Sequence, residues 1–448
     1  MDAERIDRIA NLVAAPRLSR RRAVLAGGLA LAARRAAWGR VAAAGRPLPN
    51  AIAAVMRQPR YAKSAWSLLV VDLASGETIY ELNPDQTALT GSVRKLFSVG
   101  LALRQLGADH LFTTPIFRTG AVDGQGVLKG DLILVAAGDL TLGGRADGDD
   151  DIAFTDFDHN DANNLGTAIL TPQDPLHGLD VLAQQVRAAG IQRVAGDVVI
   201  DDRLFVPFRV PNQNLLVTSI MVNENMVDVT VTPTTSGEAA TAVWRPHTGA
   251  FDVNADVTTS AAGTPNTVTL SGDGRVECVG EADCAGAVAG DIPAGFRAPL
   301  SGRPELVQTF RIENPAAFAR TAFIEALGRA GVPTTAAPVA ANPAAKLPPA
   351  DSYEPTARVA QFISPPYAAY AKLILKVSLN LGANLSLMLF GLANGKRTIA
   401  DALAVERQSL IDRIGLAPAS FDFPTNGSGS PDSQATPRAV VRLLTAMA

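Results

Sequence analysis

Thr90-Gly91-Ser92-Val93-Arg94-Lys95-Leu96-Phe97 places a serine and a lysine three positions apart at the start of an apolar-periodic segment. Apolar residues at Leu96, Phe97, Leu101, Leu103 and Leu106, with Gly107 as a stop, predict a helix from Ser92 to about Leu106. Residues i and i+3 share a helix face, so Lys95 is expected one turn above Ser92, close to its hydroxyl. A serine hydroxyl becomes a useful nucleophile when a neighbouring base takes its proton, and a neutral lysine is such a base. The helix start adds unpaired N–H groups and a positive dipole end, which favour negative charge on the serine oxygen. Alone, the tetrapeptide also reads as a structural feature, with Ser92 as an N-cap and Lys95 solvated in the first turn.

Working outward, residues 66–72 and 78–82 read as two strands of a hairpin around Ala74-Ser75-Gly76, broken by Asn83-Pro84-Asp85. Strand, strand and a helix opening on Ser92 would set a site at a helix mouth. Short strands follow over 112–136, then a helix over 179–189, and strands over 194–200 and 227–232. Residues 234–274, rich in Thr, Ala, Val and Gly, suggest a small β-rich unit. A helix over 314–330, a Pro/Ala-rich linker over 333–349 and a strand over 358–363 come next. Ser364-Pro365-Pro366 opens a helix to about Lys376, and a second apolar helix runs to about Ala393. Ser378 and Asn380 fall at the junction of these two helices. In a β-like conformation their side chains point the same way. A hydroxyl there could relay a proton and an amide could hold a substrate peptide group; the plain alternative is a polar turn.

The composition is globular and loop-rich: 448 residues, 47% hydrophobic and 19% charged, with 38 Gly and 29 Pro. A net charge of −3 provides no basic field for nucleic acid. Residues 1–44 read as an export segment. Ser19-Arg20-Arg21-Arg22 precedes an apolar run over 23–33, and Ala42-Ala43-Ala44 offers a cleavage site. The paired arginines resemble a twin-arginine signal, and the run is too short to span a bilayer. That predicts a periplasmic or extracellular protein with no stable transmembrane segment. Cys278 and Cys284, the only cysteines, are expected to form a structural disulfide in an oxidising compartment. The acidic stretch over 147–161 reads as a solvated loop, since Asp156-Phe-Asp158-His-Asn160-Asp161 lacks the turn glycine and closing glutamate of a calcium loop. No metal or cofactor is expected.

Ordered S-x-x-K (Ser92, Lys95) and S-x-N (Ser378, Asn380) resemble the motifs of penicillin-recognising serine enzymes. The 286 positions between them resemble the class C low-molecular-mass penicillin-binding proteins, the D-alanyl-D-alanine carboxypeptidase/endopeptidase family (peptidase family S13). Further stretches are similar to that family: residues 130–139, 196–202, Val222-Asn-Glu-Asn-Met-Val-Asp228, Ser364-Pro-Pro366, and Asn426-Gly-Ser-Gly429, where Asn stands for Asp. The resemblance implies an α/β (α+β) fold, a serine β-lactamase-like domain (45–130 with 350–448) interrupted by two mostly-β insertions (131–233 with 305–349, and 234–304). It implies Ser92 as acylated nucleophile, Lys95 as base, Ser378 in proton transfer and Asn380 on the substrate amide. Peptidoglycan stem peptides would be substrates, and β-lactams inhibitors. The family's K-T-G strand is expected after Gly429 but does not occur before Ala448, so the sequence reads as lacking the C-terminal part of the catalytic domain. His247-Thr248-Gly249 mimics that motif in the wrong order. The alternatives are an impaired cell-wall binding or scaffold protein, and an esterase or β-lactamase on the same scaffold.

Overall fold

The architecture is taken from a computed structural model that describes residues 46–448 except 149 and 351; the export segment expected in 1–44 lies outside the described residues. The chain divides into two units, each built from distant parts of the sequence. The first holds residues up to 97 with 405–425 and 429–448; the second holds 98–404 with 426–428.

In the first unit, Leu68–Val71 and Thr78–Leu82 pair antiparallel with Leu68 opposite Leu82. Asp72 closes the turn between them, its Oδ1 accepting from the Ser75 backbone N–H (2.7 Å) and hydroxyl (2.9 Å). The Pro437–Met447 helix packs on the first of these strands. Its start combines proline at the first position with a Thr436 hydroxyl that accepts the Ala439 N–H at 3.1 Å. A small sheet orders Phe421–Asp422, Gln434–Ala435 and Ala88–Leu89, with Gln434 opposite Leu89 and Ala435 opposite Ala88. Just beyond it, the Thr90 N–H and hydroxyl both donate to the Ser433 carbonyl, at 2.9 and 3.2 Å.

The second unit contains a four-stranded sheet in the order Arg358–Pro366, Leu111–Arg118, Leu132–Val135, Val198–Asp201, with only the last pair parallel. The His177–Ala188 and Pro315–Arg329 helices pack against it. The second helix is buried nearly all round and is capped by Asn314, whose side chain accepts the Ala317 N–H at 3.3 Å. A second sheet joins Thr241–Arg245, Met226–Thr232, Leu306–Ile312 and Arg275–Val276. A third pairs Asp252–Ser260 in parallel with Ala285–Pro293, which also pairs with Thr269–Leu270. A disulfide joins Cys278 to Cys284 ahead of the Ala285–Pro293 strand.

The acidic stretch departs from the solvated loop expected of it. Asp147, Asp150, Asp151 and Asp156 are exposed, but Asp158 and His159 are buried. Arg145 explains this: its guanidinium donates to Asp158 (2.6 and 2.9 Å) and to Glu224 (2.5 and 3.1 Å). His159 bridges Asp228 (Nδ1, 2.6 Å) and Glu224 (Nε2, 3.2 Å), and Arg245 Nε reaches Asp228 at 3.1 Å. Three cations thus face three carboxylates, the condition under which charges survive burial. Asp158, His159 and Glu224 have the spacing of a metal site, but both carboxylates already accept from Arg145. Burial works against the imidazolium, yet Asp228 and Glu224 outweigh it and the repulsion from Arg145, and the pKa is pushed up to about 10.

A folded pKa of about 10 against the ordinary 6.5 means stability that is full below pH 6.5 and is lost as pH rises toward 10. His159→Gln is expected to destabilise the protein by about 3–5 kcal/mol at neutral pH, because Asp228 and Glu224 lose their buried counter-charge. Urea midpoints from pH 6 to 10 check this. The gap between wild type and variant should narrow across that window; a gap independent of pH would contradict the imidazolium assignment.

Candidate active site

Ser92 lies not in the first turn of an α-helix, as expected, but in a 3₁₀ turn, Gly91–Arg94, from which the Lys95–Leu106 α-helix continues. The expected proximity survives because side chains at i and i+3 eclipse in a 3₁₀ turn. Lys95 Nζ donates to Ser92 Oγ at 2.8 Å. Lys95 is 1% exposed whereas Ser92 is exposed, so a hydroxyl open to solvent is backed by an amine held away from it.

The residues between and around them fix this turn, and their part was not read from the sequence. Arg94 is fully buried and forms a two-pronged ion pair with Glu406 (2.8 and 2.5 Å) in the Ile399–Ser409 helix. Its guanidinium lies over the Phe423 ring, 4.1 Å from the centroid, and Phe423 meets Phe97 edge-on. On the other side Gly429, at φ +123°, brings its backbone against the Gly91 carbonyl; a Cβ there would lie 1.9 Å from that oxygen. The available signal was a charged residue inside the apolar-periodic stretch and a second glycine in Asn426-Gly-Ser-Gly429.

Ser378 and Asn380 belong to the second unit. The β-like junction expected there is not formed: Ser378 ends the Tyr367–Val377 helix in the left-handed conformation (φ 59°, ψ 39°), and Asn380 is the first residue of the Asn380–Ala393 helix. A helix end in αL normally takes glycine, so a serine here holds about 1 kcal/mol or more of backbone strain. Leu379 between them is buried, which anchors the junction to the core. Asn380 Nδ2 reaches Gln213 Oε1 at 3.5 Å, and its carbonyl accepts from Asn384 Nδ2 at 2.9 Å.

Asn384, a polar residue within an apolar run, was a second missed participant. Its Oδ1 accepts the Gly427 N–H at 2.8 Å and its Nδ2 donates to Ser428 Oγ at 3.1 Å. Ser98 Oγ donates to the Gly427 carbonyl at 2.8 Å. Asn426, Ser428 and Asn384 are all buried, and the Asn384 amide ties Gly427 and Ser428 to the Asn380 carbonyl.

Residues 48–448 match the D-Ala-D-Ala carboxypeptidase 3 (S13) family. The chain is similar to the D-alanyl-D-alanine carboxypeptidase of Actinomadura sp. (strain R39), 27% identical over 297 residues, 63% of this chain and 46% of that protein. It thus spans about half the length of the curated relative it matches. In fold it is similar to penicillin binding protein 4 (dacB) from Haemophilus influenzae, with a TM-score of 0.59 and 16% identity over 84% of this chain and 74% of that one. The crystal structure of the same protein complexed with a β-lactam gives 0.58 and 17% over 89% and 77%. These likenesses establish the mixed α/β penicillin-binding-protein fold expected from the motifs.

Proposed function

Because the chain belongs to the D-Ala-D-Ala carboxypeptidase 3 (S13) family, we propose that it is a serine hydrolase of D-Ala-D-Ala ends or cross-links in peptidoglycan stem peptides, acting through an acyl-enzyme on Ser92. The observation that carries this reading is the 2.8 Å contact between a buried Lys95 amine and an exposed Ser92 hydroxyl. With Lys95 neutral, the Oγ proton passes to Nζ as Oγ bonds to the scissile carbonyl carbon. Collapse of the tetrahedral adduct breaks the C–N bond, and the proton leaves with the terminal amine. Ser378 would relay that proton and Asn380 would hold the substrate amide. Water, deprotonated in turn by Lys95, then releases the acyl group and regenerates Ser92. A β-lactam enters the same first step, but its leaving amine stays tethered. Export to the cell wall fits this substrate, and among the described residues no helix is long and apolar enough to cross a membrane.

Labelling with a fluorescent penicillin followed by intact mass tests the reading. One adduct per chain is expected with wild type and none with Ser92→Ala. Lys95→Ala should fold but acylate about 10²–10⁴-fold more slowly, the usual worth of a positioned base. An adduct that persists in Ser92→Ala overturns the assignment.

A further inference from the structure

Residues 46–66, in the first unit, contain four cations, Arg46, Arg57, Arg60 and Lys63, and no acidic residue. Residues 67–448 carry 27 Lys and Arg against 40 Asp and Glu, so the segment's sign opposes that of the chain behind it. All four cations are exposed, and among the described residues no carboxylate pairs with them.

Apolar side chains lie between these charges. The Asn50–Met56 helix has no buried residue. It turns Ala53 and Met56 partly inward and leaves Ile52 and Val55, one turn apart, 42% and 43% exposed. Trp66 is exposed and meets Tyr61 edge-on, and the Arg60 guanidinium lies 4.9 Å from the Tyr61 ring centroid. The hairpin region holds both ends of the segment. The Arg46 N–H donates to the Ile79 carbonyl at 2.9 Å, and Asn83 Nδ2 donates to the Trp66 carbonyl at 3.0 Å. The middle is therefore displayed on a fixed support rather than packed into the core.

A soluble polyanion would satisfy the cations but leave Ile52, Val55 and Trp66 in water. An anionic bilayer surface answers both features. Its phosphates attract Arg and Lys, aliphatic side chains enter the boundary of the acyl chains, and Trp and Tyr rings sit at headgroup level. Long basic side chains can reach the phosphates while their stems stay in the apolar layer.

We propose that residues 46–66 form a docking surface for an anionic phospholipid membrane, which holds the protein at the bilayer without a spanning helix. The inference goes beyond the hydrolase reading and does not depend on it.

The test uses the chain from Gly45 onward, the form left by the cleavage expected after Ala44, which keeps every described residue. The basic and apolar residues before it would bind vesicles by themselves. Cys278 and Cys284 are joined in a disulfide, so Val55→Cys supplies the only free thiol for a polarity-sensitive fluorophore. Protein is titrated with vesicles of phosphatidylcholine, alone or mixed with phosphatidylglycerol. Emission should shift to the blue with the mixed vesicles and stay unchanged with phosphatidylcholine alone. The same label on Val243→Cys, exposed in the second unit, should not shift. Replacing Arg57, Arg60 and Lys63 together by Gln should weaken binding to the mixed vesicles by about 10²-fold, at about fivefold per cation. Equal shifts at both labels overturn the proposal, as does binding that the triple substitution leaves unchanged. Cation-dependent binding that leaves the Val55 label in water also overturns it, and would mark the segment as a site for a soluble or wall polyanion. Penicillin labelling of the triple variant should match wild type, since none of the three residues belongs to the Ser92 turn.

Discussion

Gly429→Ala should slow acylation of Ser92 by about 10²-fold or more while leaving the second unit folded. The φ of +123° at Gly429 lies where side-chain-bearing residues rarely go, costing about 1–3 kcal/mol for the backbone alone. The added Cβ would then sit 1.9 Å from the Gly91 carbonyl oxygen and 3.2 Å from Arg94 Cβ. Neither the Gly91 backbone nor the buried Arg94 can rotate away, so the Gly91–Arg94 turn must shift. An ångström of misplacement at a reacting atom costs about 10²-fold in rate. Stopped-flow acylation with a chromogenic cephalosporin gives the number, and amide exchange locates the disturbance. Acylation within threefold of wild type would show that the turn tolerates the shift.

Arg94→Leu is expected to destabilise the protein by about 3–5 kcal/mol, since it leaves Glu406 buried without its counter-charge. Burial pushes the Glu406 carboxyl up even with Arg94 opposing, so the variant should fold with a neutral, unpartnered acid. The matching double variant, Arg94→Leu with Glu406→Leu, should recover most of the loss, because two apolar groups leave no charge to desolvate. Urea denaturation of wild type, Arg94→Leu, Glu406→Leu and the double variant gives the coupling. Additive single and double effects would mean the pair is not the anchor it looks to be. The recovered double variant also separates stability from placement: its acylation rate should stay depressed if the ion pair aims Ser92.

Local pattern carried much of this fold into the sequence. The strand read over 78–82 is the observed Thr78–Leu82, and the helix read over 314–330 is Pro315–Arg329. Both owe their limits to neighbouring turn, cap and proline chemistry. The Ser92–Lys95 pairing was legible because an i, i+3 relation survives the change from α to 3₁₀ geometry. The left-handed Ser378 was not, since serine carries no local signal for that conformation and the buried Leu379 imposes it. Asp228 stood in an alternating strand, Val227-Asp-Val-Thr-Val-Thr232, but its His159 partner is 69 positions away. Arg94 and Glu406 are 312 apart, Gln213 and Asn380 167. Charge compensation and cleft walls are properties of tertiary neighbours, so no window of sequence contains them.

The bonds from Thr90 to Ser433 close a loop of 343 positions, and the Gly91–Gly429 contact closes one almost as long. Contacts of such separation form late, because the chain's loop entropy must be overcome before they repay it. The Gly91–Arg94 turn lies early in the described chain, yet its backbone partners Gly429 and Ser433 come far later in sequence. A nascent or partly folded chain therefore carries Ser92 and Lys95 without the frame that aims them. The frame around Ser92 is therefore complete only once residues 429–433 have joined the fold, so its exposed hydroxyl and the Lys95 amine are aimed late in folding rather than early.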